Sequence, residues 1–434
     1  MKDTQIQKLL TEERARQKKV INLIASENIV SKDVLEALGS ELTNKYSEGY
    51  PDKRYYGGND VVDKVEKMAQ ERALKLFDLL QDEWAVNVQP LSGSPANLAV
   101  YLALVPPGGK VMGMSLSHGG HLTHGHKVSA TGKFWQQIAY GVDPKTETIN
   151  YEEIKKLALA ELPNIIVCGY TAYPRAVDFK KFREITDAVS VSRKKAKLSS
   201  AILMCDMSHF AGLVAGKQYV SPFEFADVVT TTVHKTLRGP RAAMIFSRKD
   251  KVVKGEKLAN GRVGKNGMSV NVGVSKDQTF SELIDKAVFP GLQGGPHNNQ
   301  IAAVAVALKE AKDPSFKKYA LQVKKNAKVL AEELMKLGWY VISGGTDSHL
   351  VLVDVWMGGI KNEKGAGGVT GENASVALEK VGIIVNKNTI PGETRSAFDP
   401  SGIRLGSAAE TTRGKVEKDF IAIAKKIDKV LRMR

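Results

Sequence analysis

Short apolar runs punctuate the chain: WAVNVQP from 84, KVMGMSL from 110, NIIVCGY from 164, AILMCDM from 201, VVTTTVH from 228 and AAMIFSR from 242. They are strand-length, bounded by turn residues, and continuous rather than alternating, the pattern of strands covered on both faces. Helical periodicities lie between them. Over 60–79, Val61, Val65, Met68 and Leu76 recur at helical spacing, with Arg72 the one polar exception. Strands alternating with helices predict an α/β domain built on a mainly parallel central sheet with helices on both faces. In such sheets ligands gather at the carboxyl ends of the strands.

After residue 285 the order changes. Two long helices, 298–312 and 315–337, precede the strand LVLVDV from 350, a helix near 372–381, the strand-like GIRLG from 402 and a closing amphipathic helix. We read a smaller α+β domain over 286–434, a large α/β domain over 51–285 and an N-terminal arm over 1–50. The arm begins with a charged helix and runs through IASENIVS into KYSEGYPDKRYYGG, which is too rich in Gly and Tyr to predict helix or strand. Segments 190–199, 249–280 and 358–371 read as exposed loops.

The formal charge of +16 raises the question of nucleic acid. The lysines are scattered, however, as in KKYALQVKKNAK from 317, on helical patterns whose opposite face is apolar, so solvated helix faces are expected instead. No apolar run is long enough to span a membrane and the charged N-terminus has no signal-peptide core, which predicts a cytoplasmic protein. Cys168 and Cys205 sit inside strand runs and read as small buried hydrophobes, so neither a disulfide framework nor a zinc site is expected.

Candidate chemistry concentrates at strand ends. Lys235 follows VVTTTVH, where desolvation can lower its pKa and free the amine for Schiff-base formation. Asp206 ends AILMC at the same edge, a position suited to holding a pyridinium nitrogen protonated in a pyridoxal phosphate (PLP) enzyme. Ser92, Gly93 and Ser94 introduce a helix whose free N–H groups can receive a phosphate, although an ordinary N-cap is the plainer reading of the three residues alone. SHGGHLTHGH holds His118, His121, His124 and His126; stacking of an imidazole on a cofactor ring is preferred to metal binding.

The ordered set IASEN, NKYSEGYPDKRYYGG, SGS, HGGHLTHG, DMSHFAG, TTTVHKTLRGPR, VFPGLQGGP, VNKN and SGIRLG resembles the serine hydroxymethyltransferase family and extends over nearly the whole chain. The resemblance implies a fold-type-I PLP enzyme of one-carbon metabolism. Such an enzyme exchanges serine and tetrahydrofolate for glycine and 5,10-methylenetetrahydrofolate and is at least a homodimer. It further implies that Lys235 forms the aldimine with PLP, Asp206 meets the pyridine nitrogen and His121 stacks on the ring. Ser92, Gly93 and Ser94 bind the phosphate with Tyr46, Gly294 and Gly295 of a neighbouring subunit, and Thr171, His209, Thr232 and His234 complete the cofactor site. By the same resemblance Arg404 holds the amino acid carboxylate, and Ser26, His209 and Tyr56 surround the substrate. Glu48 is then the acid/base group, and Leu116, Gly120, Leu122 and Ser396, Ala397 and Phe398 line the folate site, with Asn388 nearby.

Departures from the family pattern are few. Val233 stands where a Thr usually precedes the His-Lys pair, with the hydroxyl of Thr232 retained; Thr171 replaces a serine; Ala242 and Ala243 replace a glycine pair, so no left-handed backbone is expected there. Two other readings remain open on sequence alone. A folate-independent aldolase would use the same cofactor without a folate pocket, and a basic nucleic-acid binder could keep the scaffold without catalysis. A tetrahydrofolate requirement with serine separates the first, and retention of Lys235, Asp206 and Arg404 speaks against the second.

Overall fold

The computed structural model describes residues 2–253 and 277–433. Of the segment expected as a loop over 249–280, positions 254–276 lie outside the described residues. Seven strands form the central sheet, in the order Trp84–Asn87, Ala243–Arg248, Val228–Thr232, Ile202–Asp206, Ile165–Gly169, Lys110–Met114, Gln136–Tyr140. Neighbours run parallel except Ala243–Arg248, which is antiparallel to both strands beside it. Every residue of 165–169, 202–206 and 228–232 is buried, which is why these runs are apolar without alternation. The edge strand Gln136–Tyr140 was not anticipated: only its last residue is buried, so it carries little apolar signal.

Register brings the functional strand ends level. Gly169 pairs with Asp206, and Asp206 with Thr230. Beyond Thr232 the chain makes a turn over 233–242 and returns as Ala243–Arg248. The turn is closed by Val233 N donating to the Ala242 carbonyl at 3.0 Å and Gly239 N donating to the Val233 carbonyl at 2.9 Å. Ala242 and Ala243 are buried, and neither adopts a positive φ, as their replacement of a glycine pair led us to expect.

The helix Asp60–Leu76 packs against Asn298–Lys312. Its buried residues are Val62, Glu66, Ala69, Ala73, Leu74 and Leu76; of the expected positions Leu76 is buried and Val65 packs partly buried on the core, whereas Val61 and Met68 are exposed. The expected apolar face is therefore partly displaced, because a carboxylate occupies a core-facing position and small alanines fill much of the rest. Residues 190–195, expected as loop, complete the helix Phe179–Lys195, whose buried Arg193 reaches back to cap the Ser199 and Leu162 carbonyls. The stretch around 49–54, expected to lack regular structure, forms a hairpin of Gly49–Tyr50 and Lys53–Arg54. Gly49 adopts φ +95°, and a Cβ there would fall on the Lys53 carbonyl oxygen.

A second core, including Leu23, Leu330, Val351, Phe420 and Ile427, lies under an antiparallel sheet. The sheet order is Tyr340–Val341, Leu350–Asp354, Gly402–Gly406, Asn386–Asn388. The helix Pro314–Lys336 joins the two cores, with Phe316, Ala320 and Val323 in the first and Ala327, Leu330 and Leu334 in the second. At the N-terminus, Thr4–Lys19 buries no residue, but Leu23 enters the second core and Ala25 and Val34 the first. Among the described residues no helix is long and apolar enough to cross a membrane.

Candidate active site

Lys235 lies three residues past the strand Val228–Thr232, in the turn that the next strand closes. Its Nζ donates to Thr232 Oγ1 at 3.1 Å, and its carbonyl accepts from Asn28 Nδ2 at 2.9 Å. Burial pulls the amine down to about 8, against the charge of Asp206, while Arg404 and Arg241 push it the same way. An amine at that value has a far larger unprotonated, nucleophilic fraction near neutral pH than an ordinary lysine. The retained Thr232 hydroxyl, beside the buried Val233, is the group that holds it.

Asp206 ends the neighbouring strand and is buried. Oδ1 accepts from the Ser208 amide at 3.1 Å, and Oδ2 from Asn97 Nδ2 at 2.9 Å and from His124 Nε2 at 3.2 Å. Burial alone would raise this carboxyl; the hydrogen bond and charge of His124, the charge of His121 and the Ser208 contact outweigh it and hold the group well below the usual range. Asp206 is thus a fixed anion facing the amine of Lys235.

The helix Gly93–Leu104 points its N-terminus at this edge. Ser92 holds the N-cap in extended backbone, yet its hydroxyl makes no capping hydrogen bond. The plain capping reading therefore fails, and the first-turn N–H groups remain available. Gly93 is required by close approach: a Cβ there would meet Thr232 Cγ2 at 2.8 Å.

The histidines divide by task. His121 Nδ1 lies 2.7 Å from Thr123 Oγ1, which accepts from Asn97 Nδ2 at 2.8 Å, so the chain Asn97–Thr123–His121 fixes the ring beside Asp206. Burial, with the charges of His124 and Lys235, lowers His121 to about 4; its imidazole is neutral. His209 is buried and stacks on His349 with centroids 5.5 Å apart. Burial and then the charge of Lys235 push His209 well below its ordinary value. His234 falls to about 3 through burial and the neighbouring Lys235, and among the described residues its buried Nδ1 has no hydrogen-bond partner. His118 accepts from the Val142 amide. Among the described residues no group of three or more His, Cys, Asp or Glu is arranged to hold a metal.

Arg404 arrives from the other core, on Gly402–Gly406. Nε donates to Asn386 Oδ1 at 3.2 Å and Nη1 to the Thr171 carbonyl at 2.9 Å. Thr171 itself donates its N–H to Gly119 O at 2.7 Å, which hooks the 171 loop onto the 116–124 segment. Among the described residues Arg404 has no acidic partner, and burial lowers it to about 10. Ser26 is brought to this strand by Gly406 N donating to Leu23 O at 2.7 Å; a Cβ at Gly406 would fall on the backbone of Ala25.

Tyr46, Glu48, Tyr56, Gly294 and Gly295 form a separate group. A Cβ at Gly294 would lie 3.4 Å from Glu48 Oε1, and one at Gly295 3.1 Å from the ring of Tyr46. Tyr46 and Tyr56 meet edge to face at 5.4 Å, and the charge of Glu48 raises the Tyr56 hydroxyl. Among the described residues no hydrogen bond or ion pair joins this group to Lys235, Asp206 or Arg404. The expected folate-lining residues are also dispersed. Leu116 and Leu122 lie in short 3-10 turns, with Leu122 exposed; Gly120 packs onto the Met114 carbonyl with no room for a side chain. Asn388 donates to its neighbour's carbonyl at 2.6 Å, and Ser396–Phe398 is exposed, with Phe398 at 84%.

Sequence reading missed Asn97, the partner of Asp206, and His349, the stacking partner of His209. The HGGHLTHG cluster signalled His124 without its role, whereas Asn97 gave no signal beyond its place one turn inside the helix after SGS.

A lysine beyond a strand end, a buried aspartate on the adjacent strand and a helix N-terminus, set at one edge of a mainly parallel sheet, define an α/β PLP-dependent enzyme of fold type I. A family model described as serine hydroxymethyltransferase matches residues 1–427. The serine hydroxymethyltransferase of Desulfotalea psychrophila (strain LSv54 / DSM 12343) is 47% identical over 429 residues, covering 99% of this chain and 88% of that protein. The chain belongs to the serine hydroxymethyltransferase family. It is a PLP-dependent transferase that interconverts serine and glycine with tetrahydrofolate as co-substrate.

Proposed function

We propose that Lys235 holds PLP, Asp206 meets its pyridine nitrogen, Ser92–Ser94 take its phosphate and Arg404 takes the substrate carboxylate. The observation that carries this reading is Arg404. A guanidinium buried without an acidic partner is costly unless an anion joins it, and a planar fork suits a carboxylate. The residues fit the cofactor: Asp206 is an acceptor held ionised, the Ser92 hydroxyl makes no capping hydrogen bond at its helix N-terminus, and among the described residues the amine of Lys235 bonds to Thr232 alone. When bound, PLP supplies an electron sink for the pair left on Cα as the Cα–Cβ bond breaks.

The chain's own residues do the rest. Thr232 aims the lysine amine, His121 and the His209–His349 pair stay neutral and wall the site, and Thr171 and Asn386 orient Arg404. Glu48 moves the proton at the serine hydroxyl oxygen, with Tyr56 beside it as a neutral donor. Leu116, Gly120, Leu122, Asn388 and Ser396–Phe398 receive the folate, and the exposure of Phe398 is consistent with a ligand-covered ring.

The same reading makes the enzyme a cytoplasmic homodimer, in which Tyr46, Glu48, Tyr56, Gly294 and Gly295 serve the partner's cofactor. Its support is the lack, among the described residues, of any hydrogen bond or ion pair from them to Lys235, together with the exposure of Tyr46, Tyr55 and Tyr56. A two-fold interface makes each arm serve the other subunit. The division at residues 50 and 285 belongs to this reading too, with Asn298–Lys312 lying against the large core. Co-refolding equal amounts of Lys235→Ala and Glu48→Gln chains tests it. Half the dimers are mixed and half of their sites intact, so about a quarter of full activity returns. No recovery, with mixed dimers detected by mass spectrometry, overturns the shared site.

A further inference from the structure

Three consecutive carbonyls flank and include Glu48, and all three are taken by the return strand of its hairpin. Arg54 Nη1 donates to Ser47 O at 2.9 Å and to Gly49 O at 2.8 Å, while Tyr55 N donates to Glu48 O at 2.9 Å. One guanidinium nitrogen therefore grips the peptide on both sides of Glu48 and leaves its side chain as the free group of the segment. The guanidinium is itself anchored: Nη2 donates to Glu66 at 2.6 Å and Nε to Asp63 at 2.8 Å, with only 4% of the Arg54 side chain exposed. Gln89 closes the network from the sheet side, donating to Glu66 at 2.8 Å and to Gly49 O at 3.0 Å. Ser47 is fully buried and bonded to Asn298.

The arrangement is dearer than packing requires. Glu66 occupies a core-facing stripe whose other members are Val, Ala and Leu, and a buried ion pair is a poor way to gain stability compared with apolar residues of the same shape. What such a cluster supplies is geometry, because a planar guanidinium with four partners fixes a backbone in one place.

We propose that Arg54, braced by Glu66 and Asp63, is the positioning residue for Glu48, holding its backbone so that the carboxylate is presented in one orientation. The proposal rests on the reading of Glu48 as the acid/base group. Arg54 touches neither substrate nor cofactor; it acts through the carbonyls of residues 47 and 49.

A double-mutant cycle tests it on the PLP-loaded enzyme with serine and tetrahydrofolate. Arg54→Lys keeps the charge but cannot grip both carbonyls while reaching both carboxylates. In the wild-type background it lowers kcat about tenfold or more and leaves serine KM within about twofold, the split expected for a group acting only as the reaction proceeds. In the Glu48→Gln background the same change costs less than about twofold, since residues acting through one another are not additive. Cofactor absorbance stays unchanged and exchange of the Tyr55 amide quickens. Losses that multiply in the double variant, or no loss in Arg54→Lys, overturn the proposal. Full activity in Glu48→Gln alone overturns the reading of Glu48 beneath it. Should Arg54→Lys fail to fold, Glu66→Gln takes its place in the cycle, because Arg54 and Gln89 donate to different oxygens of Glu66 and the amide replaces one of them with a donor. If neither variant folds, the cluster is a stability element and the proposal falls.

Discussion

His124 Nε2 lies 3.2 Å from Asp206 Oδ2, with both side chains buried, and Asn97 Nδ2 reaches the same oxygen at 2.9 Å. His124, helped by His121 and Ser208, keeps the carboxylate charged where burial would otherwise neutralise it. Asp206→Asn keeps the shape and removes the charge. It lowers kcat by about a hundredfold, the scale of losing a preorganised charge contact at a reacting centre. It also weakens PLP binding, measured by titrating the apoenzyme with cofactor.

Lys235 titrates at about 8. Only the unprotonated amine attacks the cofactor aldehyde, so the rate at which apoenzyme recaptures PLP rises as pH climbs through 8 and levels above it. At pH 7 roughly a tenth of the amine is free, against well under a thousandth for an ordinary lysine. Stopped-flow absorbance from pH 6.5 to 9.5 reads the profile; a rise still steepening at the top of that range contradicts the lowered value. Lys235→Ala leaves no adduct on peptide mapping after borohydride reduction, and a wild-type adduct on another lysine refutes the assignment.

Arg404→Lys keeps the charge but loses the fork that spans Thr171 and Asn386. Serine affinity falls by about 10- to 100-fold, the range for a lost charge-assisted hydrogen bond, while PLP binding is unchanged. Equilibrium titration with glycine, followed by the cofactor spectrum, checks both statements.

Gly93→Ala places a methyl 2.8 Å from Thr232 Cγ2, on a strand that cannot retreat. Overpacking of this kind costs about 1–3 kcal/mol, and here it displaces the turn before the helix. PLP affinity drops while the far-ultraviolet dichroism stays that of the wild type.

The central strands and the long helices were legible because burial on both faces writes itself into unbroken apolar runs. The placement of Lys235 and Asp206 at one sheet edge followed from counting past those runs. The rest was hidden for physical reasons. Gln136–Tyr140 is an exposed edge and lacks the apolar signal. The helix Asp60–Leu76 shows much of its core through alanines and a glutamate, so a hydrophobic count finds Val65 and Leu76 but wrongly adds the exposed Val61 and Met68. Arg193 looked like loop charge although its guanidinium finishes a helix from within. Asn97 and His349 act through partners more than a hundred residues away, and no local pattern announces such a partner.

Arg404 is flanked by Ile403 and Leu405 of the second hydrophobic core and Lys235 by Val233 and Leu237 of the first, and the two cores are joined by the continuous helix Pro314–Lys336 and by the bond from Arg404 to the Thr171 loop. In the reading proposed above, an amino acid whose carboxylate meets Arg404 and whose amine meets the cofactor at the Lys235 edge of the sheet is a cross-brace between two bodies. On that reading occupancy adds a tie between the two cores, and departure of product removes it.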